Sequence, residues 1–498
     1  ERAENTDSGA RIGSDMSDVV ETQDALSRKE QKLYADRVKV YPKDIKGTFR
    51  RLKWAVLGVL LAIYYLVPWI RWDRGPGAPD QAVLIDMPNR RAYFFFIEIW
   101  PQEVYYLAGL LILGAIGLFW VTSLAGRVWC GYACPQTVWT DLYMWVERKI
   151  EGDRNTRIKL DKSPVDGSKV AKKAAKHAAW LAIAALTGGA WVMYFNDAPT
   201  VVSDIFTGQA GSMVYFFFGL FTTTTYLLAG WAREQVCTYM CPWPRFQAAM
   251  FDEDTLIVTY ERWRGEPRGK LKGKNEDWSK RGDCIDCKMC VAVCPTGIDI
   301  RDGVQMECIG CALCVDACNT VMEKIGRPRD LITYDTERNQ MRRAEGKPPA
   351  YRLVRPRTVL YTLLFVAVAG AMLWSLAFRP SLEVNVLHDR TPLFVTLSDG
   401  SIRNGYTVKI LNMTREPRSF TLDFEGIEPA SLSVVGQPDA GRQAVLSADP
   451  DSVETYQVYV SVPADAVTSA TMSVSFELED MKGGETARKE TVFKGPKR

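Results

Sequence analysis

Apolar residues in this chain gather in long runs separated by strongly polar stretches. Five runs are long enough to suggest membrane spans, at roughly 54–70, 104–126, 177–195, 212–231 and 358–378. A spanning helix needs about 20 mostly apolar residues, because hydrocarbon offers the backbone no water to bond. The first run is short. The third is rich in Ala and Gly (AAWLAIAALTGGAW), which suits close packing against neighbouring helices. Ahead of them, residues 1 to about 45 are polar and aperiodic, and read as a disordered tail with one short helix near 27–34. Behind them the period changes to two: YTVKIL at 406–411, FTLDF at 420–424, YQVYVSV at 456–462 and MSVSFEL at 472–478. Alternation of this kind, punctuated by Gly, Pro, Asp and Asn, predicts an antiparallel β-sandwich. The predicted architecture is therefore a multidomain membrane protein. A polar tail (1–50) is followed by four spans (51–260), a cysteine-rich domain (261–350), a fifth span (351–379) and an all-β, immunoglobulin-like sandwich (380–498).

Charge orients this arrangement. Lys39, Lys43, Lys46, Arg50, Arg51 and Lys53 precede the first run, and the segment between the second and third runs is dense in Lys and Arg. The segment between the third and fourth runs (NDAPTVVSDIFTGQAG) has neither, whereas 233–357 is again rich in both. Positive charge favours the cytoplasmic side, so the pattern predicts an inside N-terminus, an outside C-terminus and every cysteine in the cytoplasm. Arg71, Arg74, Arg90 and Arg91 in the first outer loop conflict weakly with this. The net charge of +3, with no basic stripe, gives no reason to expect a nucleic-acid partner.

The twelve cysteines fall in three tight groups, a usage that points to metal or redox chemistry rather than to a disulfide scaffold. CIDCKMCVAVCPTGIDI (284–300) and CIGCALCVDACNTV (308–321) both read C-x2-C-x2-C-x3-C. Three cysteines at this spacing wrap one corner of a 4Fe-4S cube, and the last cysteine of each run ligates the other cluster. One cluster then takes Cys284, Cys287, Cys290 and Cys318, and the other Cys308, Cys311, Cys314 and Cys294. Structural zinc is the alternative, but zinc sites favour two C-x2-C pairs, often with His, and the chain has only His177 and His388.

The remaining cysteines form an internal repeat. Cys130 and Cys134 in RVWCGYACPQTVW follow the second run, and Cys237 and Cys241 in REQVCTYMCPWPRF follow the fourth. Both pairs read C-x-Y-x-C-P, and on a helix residues i and i+4 would share a face. Four thiolates suit a soft metal, Cu(I) or a Cu(II) awaiting reduction, with Met240 as a further thioether. A dithiol relay, a further four-cysteine cluster and simple packing remain open readings of the same residues.

Taken together with VLIDMPNRRAYFFFIEIWPQE (83–103), RVWCGYACPQTVWTDLYMWVER (127–148), CTYMCPWPRFQAAMFDEDTLIVTY (237–260), GRPRDLITY (326–334) and HDRTPLF (388–394), these motifs resemble the CcoG/FixG (RdxA-like) cytochrome c oxidase accessory proteins. The resemblance implies a bacterial inner-membrane protein with a cytoplasmic bacterial-type double-cluster ferredoxin domain and a periplasmic immunoglobulin-like domain. It also implies a cupric reductase supplying Cu(I) for assembly of the cbb(3)-type oxidase. The partners it implies are a copper-exporting P-type ATPase and copper chaperones or oxidase subunits; membrane lipid, copper ions, an unidentified electron donor and a second copy of the chain are the other candidate partners. Two rival functions are a transmembrane electron-transfer subunit serving a quinone or periplasmic partner, and a redox-sensing assembly scaffold without reductase activity.

Overall fold

The computed structural model describes residues 39–496, apart from residue 76, residues 272–277, 279–280 and 438–440. The short helix expected near 27–34 lies outside these residues. The helices in chain order are α1 (Thr48–Leu66), α2 (Tyr105–Ala125), α3 (Val128–Tyr132), α4 (Pro135–Glu151), α5 (Arg154–Lys162), α6 (Gly167–Met193), α7 (Ala198–Thr207) and α8 (Ser212–Thr225). They continue with α9 (Trp243–Ala248), α10 (Arg262–Gly265), α11 (Met289–Val293), α12 (Leu313–Lys324), α13 (Glu337–Ala344) and α14 (Pro356–Ala377). Among the described residues, four helical segments are long and apolar enough to cross a membrane: Thr48–Trp69, Pro101–Ala125, Ser212–Ala232 and Pro356–Ala377.

The predicted third span lies within α6 and does not reach that standard. Its first turns carry Lys169, Lys172, Lys173 and Lys176, and its apolar half is diluted by Thr187, Gly188 and Gly189. The physical reason is burial in protein. Trp180, Ala184, Thr187, Gly188 and Ala190 are buried, and α6 packs against both α8 and α4. A Cβ on Gly188 would come within 2.7 Å of the Phe218 carbonyl oxygen, so this helix pair is as close as small residues permit.

The chain divides into two compact units, residues 1–69 with 117–361, and residues 70–116 with 362–498. In the second unit, β1 (Val83–Asp86), β2 (Arg91–Phe94) and β3 (Ile97–Ile99) form an antiparallel sheet in that order. In the first unit, β4 (Ile257–Tyr260) pairs with β5 (Ile332–Asp335) across the cysteine-rich segment. Among the described residues, the second unit ends in a sandwich of nine strands: β6 (Leu382–His388), β7 (Val395–Thr396), β8 (Ile402–Asn412), β9 (Arg418–Glu425), β10 (Ser431–Val434), β11 (Gln443–Ala448), β12 (Ser452–Val462), β13 (Thr471–Asp480) and β14 (Thr486–Lys494). One sheet runs β10-β12-β8-β6 with β7 also on β8, and the other runs β11-β9-β13-β14. Period-two alternation turns Tyr406, Val408 and Ile410 inward from β8, and Phe420, Leu422 and Phe476 inward from the facing sheet. All four sequence-predicted alternating segments lie inside these strands.

The same unit explains the arginines that disturbed the charge pattern. Arg74 is buried and donates to the carbonyls of Phe95, Pro79, Gln81 and Ala82 at 2.6–2.8 Å. Arg91 pairs with Glu98 at 3.0 Å and with Asp451 in the sandwich. Both cations are therefore held within local structure of this unit.

Candidate iron–sulfur and thiol site

The two cysteine runs adopt the same backbone. Asp286 and Lys288 in the first run and Gly310 and Ala312 in the second all have positive φ, at 49°, 54°, 68° and 58°. Left-handed residues at alternate positions turn backbone N–H groups inward, as in the concave nest found around iron–sulfur groups and other anions. Each loop then feeds a helix, α11 or α12, which carries the third cysteine of its run.

The folding of the two runs onto each other exchanges their fourth cysteines. Cys318 lies in electrostatic range of Cys284, Cys287 and Cys290. Cys294 lies in range of Cys308, Cys311 and Cys314. Burial pushes the Cys290, Cys308 and Cys318 thiols up to about 12, and raises Cys314 well above the ordinary thiol value. In so apolar a setting thiolates need a positive group to hold them, which is what cluster iron provides when it displaces the protons. The donor set and the nests fit two 4Fe-4S clusters.

Arg301 is a functional residue the sequence did not reveal. It is buried, pairs with Asp299 at 2.6 Å and Asp286 at 2.7 Å, and directs Nη1 to within 3.8 Å of the Cys284 sulfur. The Asp299 hydrogen bond holds its proton more firmly than usual, against the effect of burial. Nothing in its local sequence, DIRDG, signals this contact.

The C-x3-C-P pairs also depart from a simple expectation. They do not sit on continuous helices. Cys130 is in α3, but Cys134 is extended (φ −60°, ψ 128°) and caps α4, with Pro135 as the first helical residue. Cys237 lies in a π-helical turn, Val236–Met240, and Cys241 is extended again (φ −79°, ψ 123°). The second repeat has one more residue between its arginine and its first cysteine, REQVC against RVWC. A π-turn accommodates such an insertion. The breaks bring the pairs together: Cys237 is in electrostatic range of Cys130, Cys134 and Cys241, and Cys134 of Cys241. Burial, reinforced by the neighbouring thiols, pushes Cys130 up to about 11 and Cys237 up to about 12. Met240 shares the turn but is 62% exposed.

This four-thiol centre rests on the second cluster loop. Cys130 and Cys237 pack with Ile309, Cys311, Leu313 and Cys314. A Cβ on Gly131 would lie 2.9 Å from the Ile309 oxygen and 3.0 Å from the Cys311 backbone, so only glycine permits this approach. The Tyr132 hydroxyl donates to the Cys311 carbonyl at 3.1 Å. Arg127, whose guanidinium loses some of its hold on its proton through burial, donates to the Cys308 carbonyl at 3.1 Å and the Pro244 carbonyl at 2.8 Å, linking the loop to both repeats. Gln247, fully buried, accepts from the Cys130 thiol at 3.3 Å. Asp316, between Cys314 and Cys318, caps α1 by accepting from the Phe49 and Arg50 N–H groups at 3.3 and 2.8 Å. Gln247 and Asp316 fall inside the quoted segments 237–260 and 308–321 but at none of their cysteine positions, so ligand spacing does not mark them.

Elsewhere the histidines have ordinary partners. His177 shares a 2.8 Å hydrogen bond with the Tyr226 hydroxyl, and His388 a 2.7 Å bond with Asn404.

Comparison with known proteins agrees with this geometry. Residues 232–337 match a family described as a 4Fe-4S dicluster domain, residues 107–152 one described as a 4Fe-4S binding domain, and residues 372–496 the Ig-like fold at the C-terminal of FixG. The chain is 50% identical over 476 residues to the nitrogen fixation protein FixG of Rhizobium meliloti, covering 90% of this chain and 91% of the relative. It is 50% identical over 469 residues to the protein RdxB of Cereibacter sphaeroides, covering 93% and 97%. A crystal structure of a FixG-related protein from Vibrio parahaemolyticus aligns over 23% of this chain and 96% of its own, at 23% identity and a TM-score of 0.20. With its two iron–sulfur matches, its apolar helices and this near-complete coverage, the chain belongs to the FixG/RdxA family of membrane iron–sulfur proteins.

Proposed function

We propose that this iron–sulfur electron-transfer protein delivers electrons one at a time to Cys130, Cys134, Cys237 and Cys241, where Cu(II) arrives as substrate and leaves as Cu(I). The observation that carries this reading is the packing of Cys130 and Cys237, one from each repeat, on the 308–314 loop. When bound, the two clusters supply one-electron carriers. The chain's own residues do the rest: they bury the thiols, hold the two repeats together through Arg127 and keep the carrier loop against them through Gly131. Thiolates favour Cu(I) over Cu(II), so the acceptor site itself adds driving force. The electron comes from a cytoplasmic donor, and one electron converts each Cu(II) to one Cu(I). The reading places the centre at the cytoplasmic edge of the inner membrane and makes Cu(I) available to an exporting P-type ATPase, to copper chaperones or to a cbb(3)-type oxidase under assembly.

The test is anaerobic Cu(II) reduction by full-length protein, wild type against Cys130→Ser and Cys237→Ser. Both variants are expected to lose reduction while keeping the electron paramagnetic resonance signals of both ferredoxin clusters. Full reduction by either variant removes the copper site from these cysteines.

One observation favours a second reading. The 107–152 segment matches a 4Fe-4S binding domain yet contains only Cys130 and Cys134, and Cys237 and Cys241 would complete a four-cysteine set. Acid-labile sulfide in excess of two clusters, reduced to two by Cys130→Ser, would support a third cluster there.

A further inference from the structure

A cleft of about 840 Å³ opens between the start of α1 and the end of α4. Five cations line it: Lys46, Arg50, Arg51, Arg148 and Lys149. The acidic lining residues are Asp44 and Asp153, and Asp44 is 3.7 Å from Arg148. Asp141, on the adjoining wall of α4, takes Nη1 of Arg50 at 2.8 and 2.9 Å, and the 5%-exposed Arg50 is left with Nη2 unpartnered. Lys46, Arg51 and Lys149 have no carboxylate partner among the described residues, and Lys149 reaches only the Trp145 ring, at 5.9 Å. Burial and the proximity of Arg50 both weaken Arg148's hold on its proton. The cleft therefore has an unbalanced positive charge.

Its other wall is aromatic. Trp54 and Trp145 meet edge to face with centroids 6.3 Å apart, and Arg50 lies over the Trp54 ring at 4.7 Å. Trp54 is on α1, one of the membrane-capable helices, one turn from its charged start. Interfacial Trp beside Lys and Arg is the composition of the lipid headgroup level. Guanidinium forks match phosphate geometry, and basic pockets between membrane helices accept anionic headgroups.

We propose that this cleft binds the phosphodiester headgroup of an anionic phospholipid, held by Arg51, Lys149 and Lys46 and flanked by the Trp54–Trp145 pair. The site adjoins the Asp316 cap of α1, so the lipid would brace the helix to which the second cluster helix is attached.

The experiment is native mass spectrometry of full-length protein from detergent micelles doped with phosphatidylglycerol or, separately, phosphatidylcholine. Wild type is compared with R51Q/K149Q and with the remote R488Q/K489Q, and iron content verifies that each variant is folded. Each cation near an anionic lipid contributes roughly fivefold in affinity, so R51Q/K149Q should bind phosphatidylglycerol about thirtyfold more weakly. Preferential phosphatidylglycerol retention by wild type and R488Q/K489Q, lost in R51Q/K149Q, supports the site. Equal retention of both lipids, or undiminished retention by R51Q/K149Q, overturns it. Displacement of phosphatidylglycerol by low-millimolar inorganic phosphate would reassign the cleft to a soluble anion and overturn the lipid proposal.

Discussion

Gly131 and Arg301 show how much single positions decide at this centre. The first repeat has Gly131 where the second has Thr238, and Gly131 lies against the Cys311 backbone. Gly131→Ala inserts a methyl group into contacts already near 3.0 Å, an overpacking that costs about 1–3 kcal/mol. The chain relieves it by moving α3 away from the cluster loop. Stopped-flow reduction of Cu(II) by pre-reduced protein should then slow markedly, while cluster content stays near wild type. Unchanged kinetics would show that this contact is not on the electron route. Arg301 acts on the other cluster. Its cation and its N–H toward the Cys284 sulfur favour the more negatively charged, reduced state. Arg301→Leu should therefore lower the potential of the cluster ligated by Cys284 and leave the other unchanged, as resolved by a potentiometric titration followed by electron paramagnetic resonance.

Among the elements, α4 links the thiol centre to the helical unit, and it does so through buried charge. Glu147 meets Arg157 at 2.8 Å, Arg233 at 2.9 Å and Lys176 at 3.6 Å, while Glu151 meets Lys176 at 3.0 Å and Lys173 at 2.9 Å. Burial alone would raise the Glu147 carboxyl, but Arg233, Arg157 and Lys176 together pull it down to about 2 from the usual 4.5. Because the folded value is depressed, this group contributes stability that is fully present above pH 4.5. That contribution is lost as the pH falls from 4.5 towards 2. Glu147→Gln leaves the buried Arg157 and Arg233 without a carboxylate partner among the described residues and should destabilise the helical unit by about 3–5 kcal/mol at neutral pH. The difference from wild type should shrink between pH 4.5 and 2, as monitored by thermal unfolding. A constant difference across that window would mean that Glu147 is not the titrating group.

On the scale of the whole molecule, the two units depend on different forces. The sandwich has its own apolar core, with Tyr406, Phe420, Phe476 and Phe493 fully buried, and contains no cysteine. The ferredoxin segment has a small core in which Cys284, Cys290 and Cys314 sit beside Val315, Met322 and Ile332. Its ligands carry much of that interior, so cluster binding and folding are coupled. Oxidative loss of iron should therefore make residues 284–324 sensitive to limited proteolysis while 382–494 stays resistant. Cleavage of both segments at the same rate would show that the units unfold together.

Much of this was determined by the sequence alone. The two C-x2-C-x2-C-x3-C runs identify the cluster chemistry because ligand spacing is a local property of the chain. The sandwich strands follow from period-two alternation, and the most apolar spans from run length. The tertiary structure decided what local spacing cannot encode. It placed the predicted third span in α6, whose burial against α4 and α8 lets it be less apolar than a lipid-facing helix. It assigned Arg74 and Arg91 to local structure, where charge counting had read them as a topology signal. It ended the helices at Cys134 and Cys241 and so gathered four sulfurs from two segments about a hundred residues apart. Arg301, Gln247 and Asp316 matter through partners distant in the chain or hidden in a turn. Their roles arise from close packing in three dimensions, which no periodicity along one dimension records.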